Sequence, residues 1–341
     1  MTSSASAAQP DRQARLNTLL SLSAADALGA ATEFKTPDAI RAHYGETFPD
    51  YQPGSVFGFA PGEATDDSQM VAATLLGYAK GTGLNGVLTG LQDWIATGPP
   101  DVGNLTRDAL RKGGLDGGAR AWASSNFQSA GNGGLMRIAA VWIAGRSLGK
   151  DSSEALAHES ASVTALTHAD PRCVHASVFF TAFLEALHTQ IEYTNAAELA
   201  LKVMDGVDAR AVLLEREIFT VNGMEANATF RAQDRDARTQ VRAHVRNGLA
   251  GKVHSQSGYV LDTLQAAVAH ARADSWQACV EPAVLMGNDS DTVACVVGAV
   301  AGARGLDVPP HLLPPLRLGH SWAGWQREWS CVERFEDLLK A

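Results

Sequence analysis

Apolar residues recur along this chain at intervals of three and four, the spacing that gathers them on one face of an α-helix. Leu16, Leu19, Leu20, Leu22, Ala25, Leu28 and Gly29 outline an early buried helix whose small residues imply close packing against a neighbour. The same periodicity predicts helices over 68–80, 84–95, 104–112, 133–147, 152–167, 171–189, 194–204, 233–250, 259–273, 276–285 and 291–305. Alternating patterns of the kind a half-buried strand requires are scarce. Residues 215–230, with Ile218, Phe219, Val221 and Phe230, fit neither period and leave an irregular path open. No internal repeat is visible, and Gly or Pro punctuation never lengthens into a linker. One all-α domain is therefore expected over 15–341, preceded by a flexible tail over 1–14. The more charged stretch 205–257 is expected to be a peripheral excursion whose Arg-rich helix presents a solvated face.

Composition narrows the range of functions. A chain of 341 residues, 45% of them hydrophobic, can bury a sizeable core. A net charge of −9 argues against a general nucleic-acid-binding or membrane-surface role, because both draw on clustered Lys and Arg. Cys173, Cys279, Cys295 and Cys331 lack C-x-x-C spacing and read as reduced core residues. The first dozen residues contain no apolar signal-peptide region, and no apolar run is long enough to span a membrane. A soluble cytoplasmic protein is expected, and with no long heptad pattern, a monomer.

Two acid-rich clusters lie far apart in the chain: Thr65-Asp66-Asp67-Ser68 and Asn288-Asp289-Ser290-Asp291-Thr292. Each runs straight into an apolar stretch, so the acids sit at the mouths of two buried helices. Asp and Thr cap helix N-termini well, and for either cluster alone capping is the simpler account. Together they offer four carboxylates plus hydroxyl oxygens, the ligand set that hard divalent cations such as Mg²⁺ and Mn²⁺ select. If the two helix ends meet, that much buried negative charge demands cations.

Other segments carry weaker signals. Gly131-Asn132-Gly133-Gly134-Leu135-Met136-Arg137 opens a helix with several glycines, which suits either an anion on backbone N–H groups or a close helix crossing. It is not a Walker loop, since no Lys-Ser or Lys-Thr pair ends it. Glu33 closes the first helix, where the dipole disfavours a carboxylate and a task is implied. Asp26, two turns earlier, reads as an internal hydrogen-bonding group. Asp101 follows the rigid Thr97-Gly98-Pro99-Pro100 turn and serves either as a helix cap or as a proton donor in a cleft. His168, at the Thr167-His168-Ala169-Asp170-Pro171-Arg172 junction, either ties two helices or meets a ligand. Tyr259 either packs in the core or stacks on a base.

In this order, these segments resemble the ADP-ribosylglycohydrolase family, of the dinitrogenase-reductase-activating type. The resemblance runs from Asp26-Ala27-Leu28-Gly29 with Glu33, through Thr65-Asp66-Asp67-Ser68 and Gly98-Pro99-Pro100-Asp101-Val102-Gly103. It continues through the Gly131 turn and the Thr167 junction to Gly287-Asn288-Asp289-Ser290-Asp291-Thr292 and Gly298-Ala299-Val300-Ala301-Gly302-Ala303, and so covers nearly the whole chain. The chain departs from the family pattern at Ala25, Ser68, Asn288 and the Ala303-Arg304-Gly305-Leu306 segment, none of which is an expected ligand.

The resemblance implies a single-domain, all-α orthogonal helical bundle with a binuclear metal cleft. It implies two divalent cations, Mg²⁺ or Mn²⁺, held by Thr65, Asp66, Asp67, Asp289, Asp291 and Thr292, with Asp291 as the bridging carboxylate. Glu33 is implied beside the metals and Asp101 across the cleft as the catalytic acids. Gly131, Asn132, Gly133, Gly134, Leu135 and Met136 are implied to carry a diphosphate, with His168 and Tyr259 on the nucleotide. The implied reaction releases ADP-ribose from a modified residue, ADP-ribosyl-arginine on protein being the leading substrate. Serine- or nucleic-acid-linked ADP-ribose, a different binuclear hydrolase acting on phosphoesters, and a catalytically silent ADP-ribose-binding protein stand as the rival readings.

Overall fold

The structure, a computed structural model, describes residues 4–145, 152–220, 224–319 and 335–339. Its opening Ala-rich and Leu-rich stretch winds into α1 (Ser4–Gly29), so much of the segment expected as a flexible tail is helical. Two ties hold that end. The Arg15 guanidinium pairs with Asp11 at 3.2 Å and donates to the Ile143 carbonyl at 3.1 Å. His188 lies 3.5 Å from Asp11.

Helices follow in succession: α2 (Pro37–Tyr44), α3 (Asp66–Ala79), α4 (Leu84–Ala96), α5 (Asn104–Lys112), α6 (Gly117–Ser124) and α7 (Ala139–Gly145). Then come α8 (Ser153–Ala165), α9 (Pro171–His188), α10 (Tyr193–Gly206), α11 (Ala209–Glu215) and α12 (Met224–Leu249). The series closes with α13 (Val260–His270), α14 (Trp276–Met286), α15 (Ser290–Ala303) and the short α16 (Phe335–Leu338). The strands β1 (Glu63–Ala64) and β2 (Arg317–Leu318) pair in parallel just ahead of α3.

The structure departs from the sequence expectation in three respects. The glycine-rich run expected to open a helix over 133–147 forms a 3₁₀ turn, Asn132–Gly134, and α7 begins only at Ala139. Gly residues gain little from a regular helix, and here the turn is tied by Asn132 N–H to the Gly258 carbonyl at 3.1 Å. The short helices α2, α6, α11 and α16 are additions. Thr36 caps α2 and Pro37 starts it, whereas α6 opens on two glycines and depends on tertiary packing.

The third departure is α12, which runs through part of the segment left as irregular and through the stretch expected to be peripheral. Ala226, Phe230, Ala237, Val241 and Val245 form a buried stripe on it, packed against α9 and α13. Arg231 and Arg235 face solvent as expected. Arg238 instead ties Asp234 at 2.9 Å and the Val207 carbonyl at 2.7 Å.

The core is organised around α15, every residue of which is buried. Against it lies α1, at a separation only glycine permits. A Cβ on Gly29 would fall 2.5 Å from Asp291 Cα, one on Gly298 2.6 Å from the Ser21 carbonyl, and one on Gly302 2.6 Å from Thr18 Cα. Ser21 seals the crossing by donating to the Gly298 carbonyl and accepting from Trp276 Nε1 at 2.9 Å. This crossing carries the end of α1 to the start of α15. Cys173, Cys279 and Cys295 are buried and free, while Cys331 lies outside the described residues. No described helix is long and apolar enough to cross a membrane.

Candidate active site

Asp26 sets the site's geometry from within α1. It accepts hydrogen bonds from Thr65 N–H at 3.1 Å, Thr65 Oγ1 at 2.8 Å, Ser68 N–H at 3.1 Å and Ser68 Oγ. These bonds satisfy the free donors at the start of α3 from another helix and fix its first turn. Burial lifts the Asp26 carboxyl to about 6 against the pull of those donors. The internal role expected for Asp26 is the one observed, and its oxygens are consumed by it.

The two acid clusters converge. Carboxylate oxygens of Asp26, Asp67 and Asp291 lie within 4.8 Å of one another, as do those of Glu33, Asp101 and Asp291. Asp291 belongs to both groups. Asp67 accepts from Thr292 Oγ1 at 3.2 Å and from Thr65 Oγ1 at 3.1 Å, so a residue of each cluster bonds to the other. Asp66 shares a hydrogen bond with Asp101, which brings Asp101 against the acid floor. Asp289 is held by the Asn132 amide at 2.6 Å, and Asn132 also donates to Thr263 Oγ1 at 2.9 Å.

Burial raises every one of these carboxyls, and crowding of like charge adds to it at all but Asp26 and Asp289. Burial is the main cause for Asp66, Asp67 and Asp291, followed by Asp101, Asp291 and Asp289 respectively. Burial also lifts Asp289, and it lifts Asp101 to about 6. Glu33 is pushed up to about 11 by burial, then by Asp291, Asp101, Asp289 and Asp66. Asp67 Oδ1, Asp291 Oδ1 and Glu33 Oε2 are buried with no hydrogen-bond partner among the described residues. Leaving a buried carboxylate oxygen unpaired costs on the order of several kcal/mol, so a group that binds such oxygens fits this floor. All the donors are oxygens, which suits Mg²⁺ or Mn²⁺ over softer ions.

Above the acids opens a cleft of about 500 Å³. One wall carries Glu33, Asp66, Asp101, Asp289, Asp291 and Thr292; the other carries Gly131, Asn132, Gly133, Met136 and His168. Thr65 and Asp67 lie beneath the floor. Gly134 and Leu135 sit behind the turn, Gly134 against the His168 Cβ and Leu135 in the core. Tyr259 lines the neighbouring surface under the Arg172 guanidinium, 5.6 Å from its ring centre, and not the cleft.

Sequence reasoning did not single out Phe34, Asn104, Leu105, Thr106 or the Gln256-Ser257-Gly258 loop, which also line the cleft. Gln256 reaches back to the Ala283 and Gly287 carbonyls, and the Gly258 carbonyl holds the glycine turn. A short polar loop ahead of a helix carries no local signal for that work.

The family model for ADP-ribosylglycohydrolase matches residues 8–339. The chain belongs to the ADP-ribosylglycohydrolase family. It is 27% identical over 295 residues to the ADP-ribosylarginine hydrolase Tri1 of Serratia proteamaculans (strain 568), covering 84% of this chain and 69% of that protein. It is also 27% identical over 302 residues to the ADP-ribosyl-[dinitrogen reductase] glycohydrolase of Rhodospirillum rubrum, covering 86% of this chain and 87% of that one. A solved structure of an ADP-ribosylglycohydrolase-related protein complex shares the fold, with a TM-score of 0.61 at 21% identity over 96% of both chains. The protein is accordingly an enzyme, a glycosidase acting on ADP-ribosylated residues.

Proposed function

We infer that this glycosidase removes ADP-ribose from arginine side chains of a protein, with two divalent cations at the acid floor. The observation that carries the reading is Asp291, whose carboxylate belongs to two groups of acids that also hold three unpartnered oxygens. Both curated relatives bear names that specify ADP-ribosyl linkages, to arginine in one and to dinitrogen reductase in the other. Asp66, Asp67, Asp289, Asp291, Thr65 and Thr292 would hold the cations, with Asp291 between them. Asp26, saturated by Thr65 and Ser68, orients this set instead of joining it. When bound, such cations supply positive charge that grips ribose hydroxyls and acidifies a water.

The chain's own groups account for the remaining steps. The glycine turn, free of side chains at Gly131 and Gly133, takes the diphosphate, and Met136 and His168 flank it. Held there, the ribose presents its anomeric carbon over the acids. The bond from that carbon to the guanidinium nitrogen breaks, the leaving nitrogen takes a proton from an acid of the cleft, and the oxygen of water bonds to the carbon as the proton it sheds restores that acid. Asp101 supplies the proton: it lines the cleft, shares a hydrogen bond with Asp66, and holds its proton up to about pH 6. Glu33, more strongly raised, takes that task where the leaving group is a hydroxyl.

A release assay on arginine-, serine- and nucleic-acid-linked ADP-ribose, with and without EDTA, tests the reading. Free ADP-ribose from the arginine conjugate alone, abolished by EDTA and reduced about 100-fold in Asp101→Asn, is the expected result. Release of AMP or inorganic phosphate would establish a phosphoesterase instead.

A further inference from the structure

Arg137 has no part in the reaction described above, yet its position is costly. Its side chain is fully buried, and among the described residues no carboxylate faces it and its Nε has no partner. Burial lowers the guanidinium to about 9, which leaves it charged at neutral pH. A buried cation without a counter-charge is expensive, so the fold retains it for something its own side chains do not supply.

The bonds of Arg137 lead to the cleft. Its guanidinium donates to the Gly133 carbonyl, to the Val163 carbonyl at 3.1 Å and to Thr167 Oγ1 at 2.7 Å. Thr167 Oγ1 in turn lies 2.8 Å from His168 Nδ1. Since Arg can only donate, Thr167 accepts on that side, and its hydroxyl hydrogen has no other acceptor among the described residues than Nδ1. A proton on Nδ1 would leave that hydroxyl hydrogen without an acceptor. The ring therefore carries its single hydrogen on Nε2. Burial and then Arg137 lower the imidazole to about 3, so it stays neutral.

The Nε2 edge lies along the glycine turn. A Cβ added to Gly133 would fall 2.9 Å from His168 Cε1, and one added to Gly131 3.5 Å from Nε2. Both glycines and His168 line the cleft, and no described residue hydrogen-bonds Nε2. The same guanidinium anchors the turn through the Gly133 carbonyl, so one charged group fixes the two parts of this wall.

We propose that Arg137 and Thr167 are positioning residues that hold His168 as the Nε2–H tautomer and aim that donor at an oxygen of the bound diphosphate. The proposal rests on the functional reading above for its ligand, and on the hydrogen-bond chain for its geometry. It assigns the buried positive charge a purpose: Arg137 sits behind a turn where an anion binds, and it needs no direct contact with that anion.

The test compares wild type, Thr167→Val and Thr167→Ser in the metal-loaded enzyme. Histidine labelled with ¹⁵N reports which ring nitrogen of His168 bears hydrogen, and calorimetry reports affinity for ADP-ribose and for Mn²⁺. Wild type and Thr167→Ser are expected to show Nε2–H. Thr167→Val is expected to show a mixture or the other tautomer, with ADP-ribose affinity about tenfold weaker and Mn²⁺ affinity unchanged; the serine variant restores both readouts. An Nδ1–H ring in a wild type that binds ADP-ribose overturns the relay alone, as does unchanged ADP-ribose affinity in Thr167→Val. A wild type that does not bind ADP-ribose overturns the functional reading and the proposal together. If Thr167→Val does not fold, the tautomer in wild type and Thr167→Ser still decides.

Discussion

On one side of the cleft Glu33, Asp66, Asp101, Asp289 and Asp291 crowd together above Asp67, with oxygens that find no donor among the described residues. On the other side the Gly131–Gly134 turn presents backbone and a neutral imidazole in front of a buried guanidinium. Each wall carries a charge imbalance that the chain alone leaves unresolved, and the two imbalances have opposite sign. In an ADP-ribosyl group the diphosphate joins an adenosine to the ribose of the scissile bond, whose hydroxyls are neutral. In the proposed reading the diphosphate meets the glycine wall, and the ribose meets the acids through cations. Both walls are fixed by contacts remote in sequence, but through different groups. The acids are held by hydroxyl-to-carboxylate bonds such as Thr292 to Asp67. The glycine wall is held by the Arg137 guanidinium on Thr167 and by the Asn132 amide on Thr263.

The sharpest way to break this contrast is Asp291→Ala, because Asp291 is common to both acid groups. Metal binding by calorimetry should vanish and ADP-ribose release should fall by about three orders of magnitude or more. The metal-free variant should melt higher than metal-free wild type, since one unpaired buried acid is gone. Unchanged Mn²⁺ affinity would refute the assignment.

Gly133→Ala probes the opposite wall. Its new Cβ would push on His168 Cε1 from 2.9 Å, so ADP-ribose affinity should drop about tenfold while metal affinity stays as in wild type. Equal losses in both affinities would mean that the walls are not separable.

The smallest expected effect is on stability. The carboxyls of Asp26 and Asp101 are raised to about 6 in the fold, above their ordinary values, so the folded protein binds these protons more tightly than the unfolded chain. The stabilisation they confer is present below about pH 4 and is lost as pH rises through about 6. The melting temperature of EDTA-treated protein should therefore fall by a few degrees between about pH 5 and about pH 7.5, and saturating Mn²⁺ should recover most of it. A metal-free melting temperature that rises over this interval would show that the acid floor is not strained.

Much of the fold was legible because helix periodicity is local. Segments such as α5 and α14 were bounded by their own apolar spacing, and the acid motifs at the mouths of α3 and α15 stood out by composition. The glycine turn was misjudged as the start of a helix, because its fold depends on Gly258 and Arg137, which no local pattern links to it. α12 was seen only in part, since its charged residues mask a stripe whose meaning depends on the neighbouring α9 and α13. Within the candidate site, residue types marked Asp291, Glu33 and His168 for attention. They did not reveal that Leu135 faces the core, that Tyr259 lies outside the cleft, or that Asn132 holds Asp289.

By itself the sequence determined an all-α chain with oxygen-donor clusters at the starts of two buried helices, since amphipathic spacing and residue chemistry are written along the backbone. Only the tertiary structure decided that these clusters meet. That meeting depends on Gly29, Gly298 and Gly302 lying in register where α1 crosses α15, a match between surfaces that are remote in sequence and come together only on packing. The helices follow from short-range preference, whereas the site follows from steric fit.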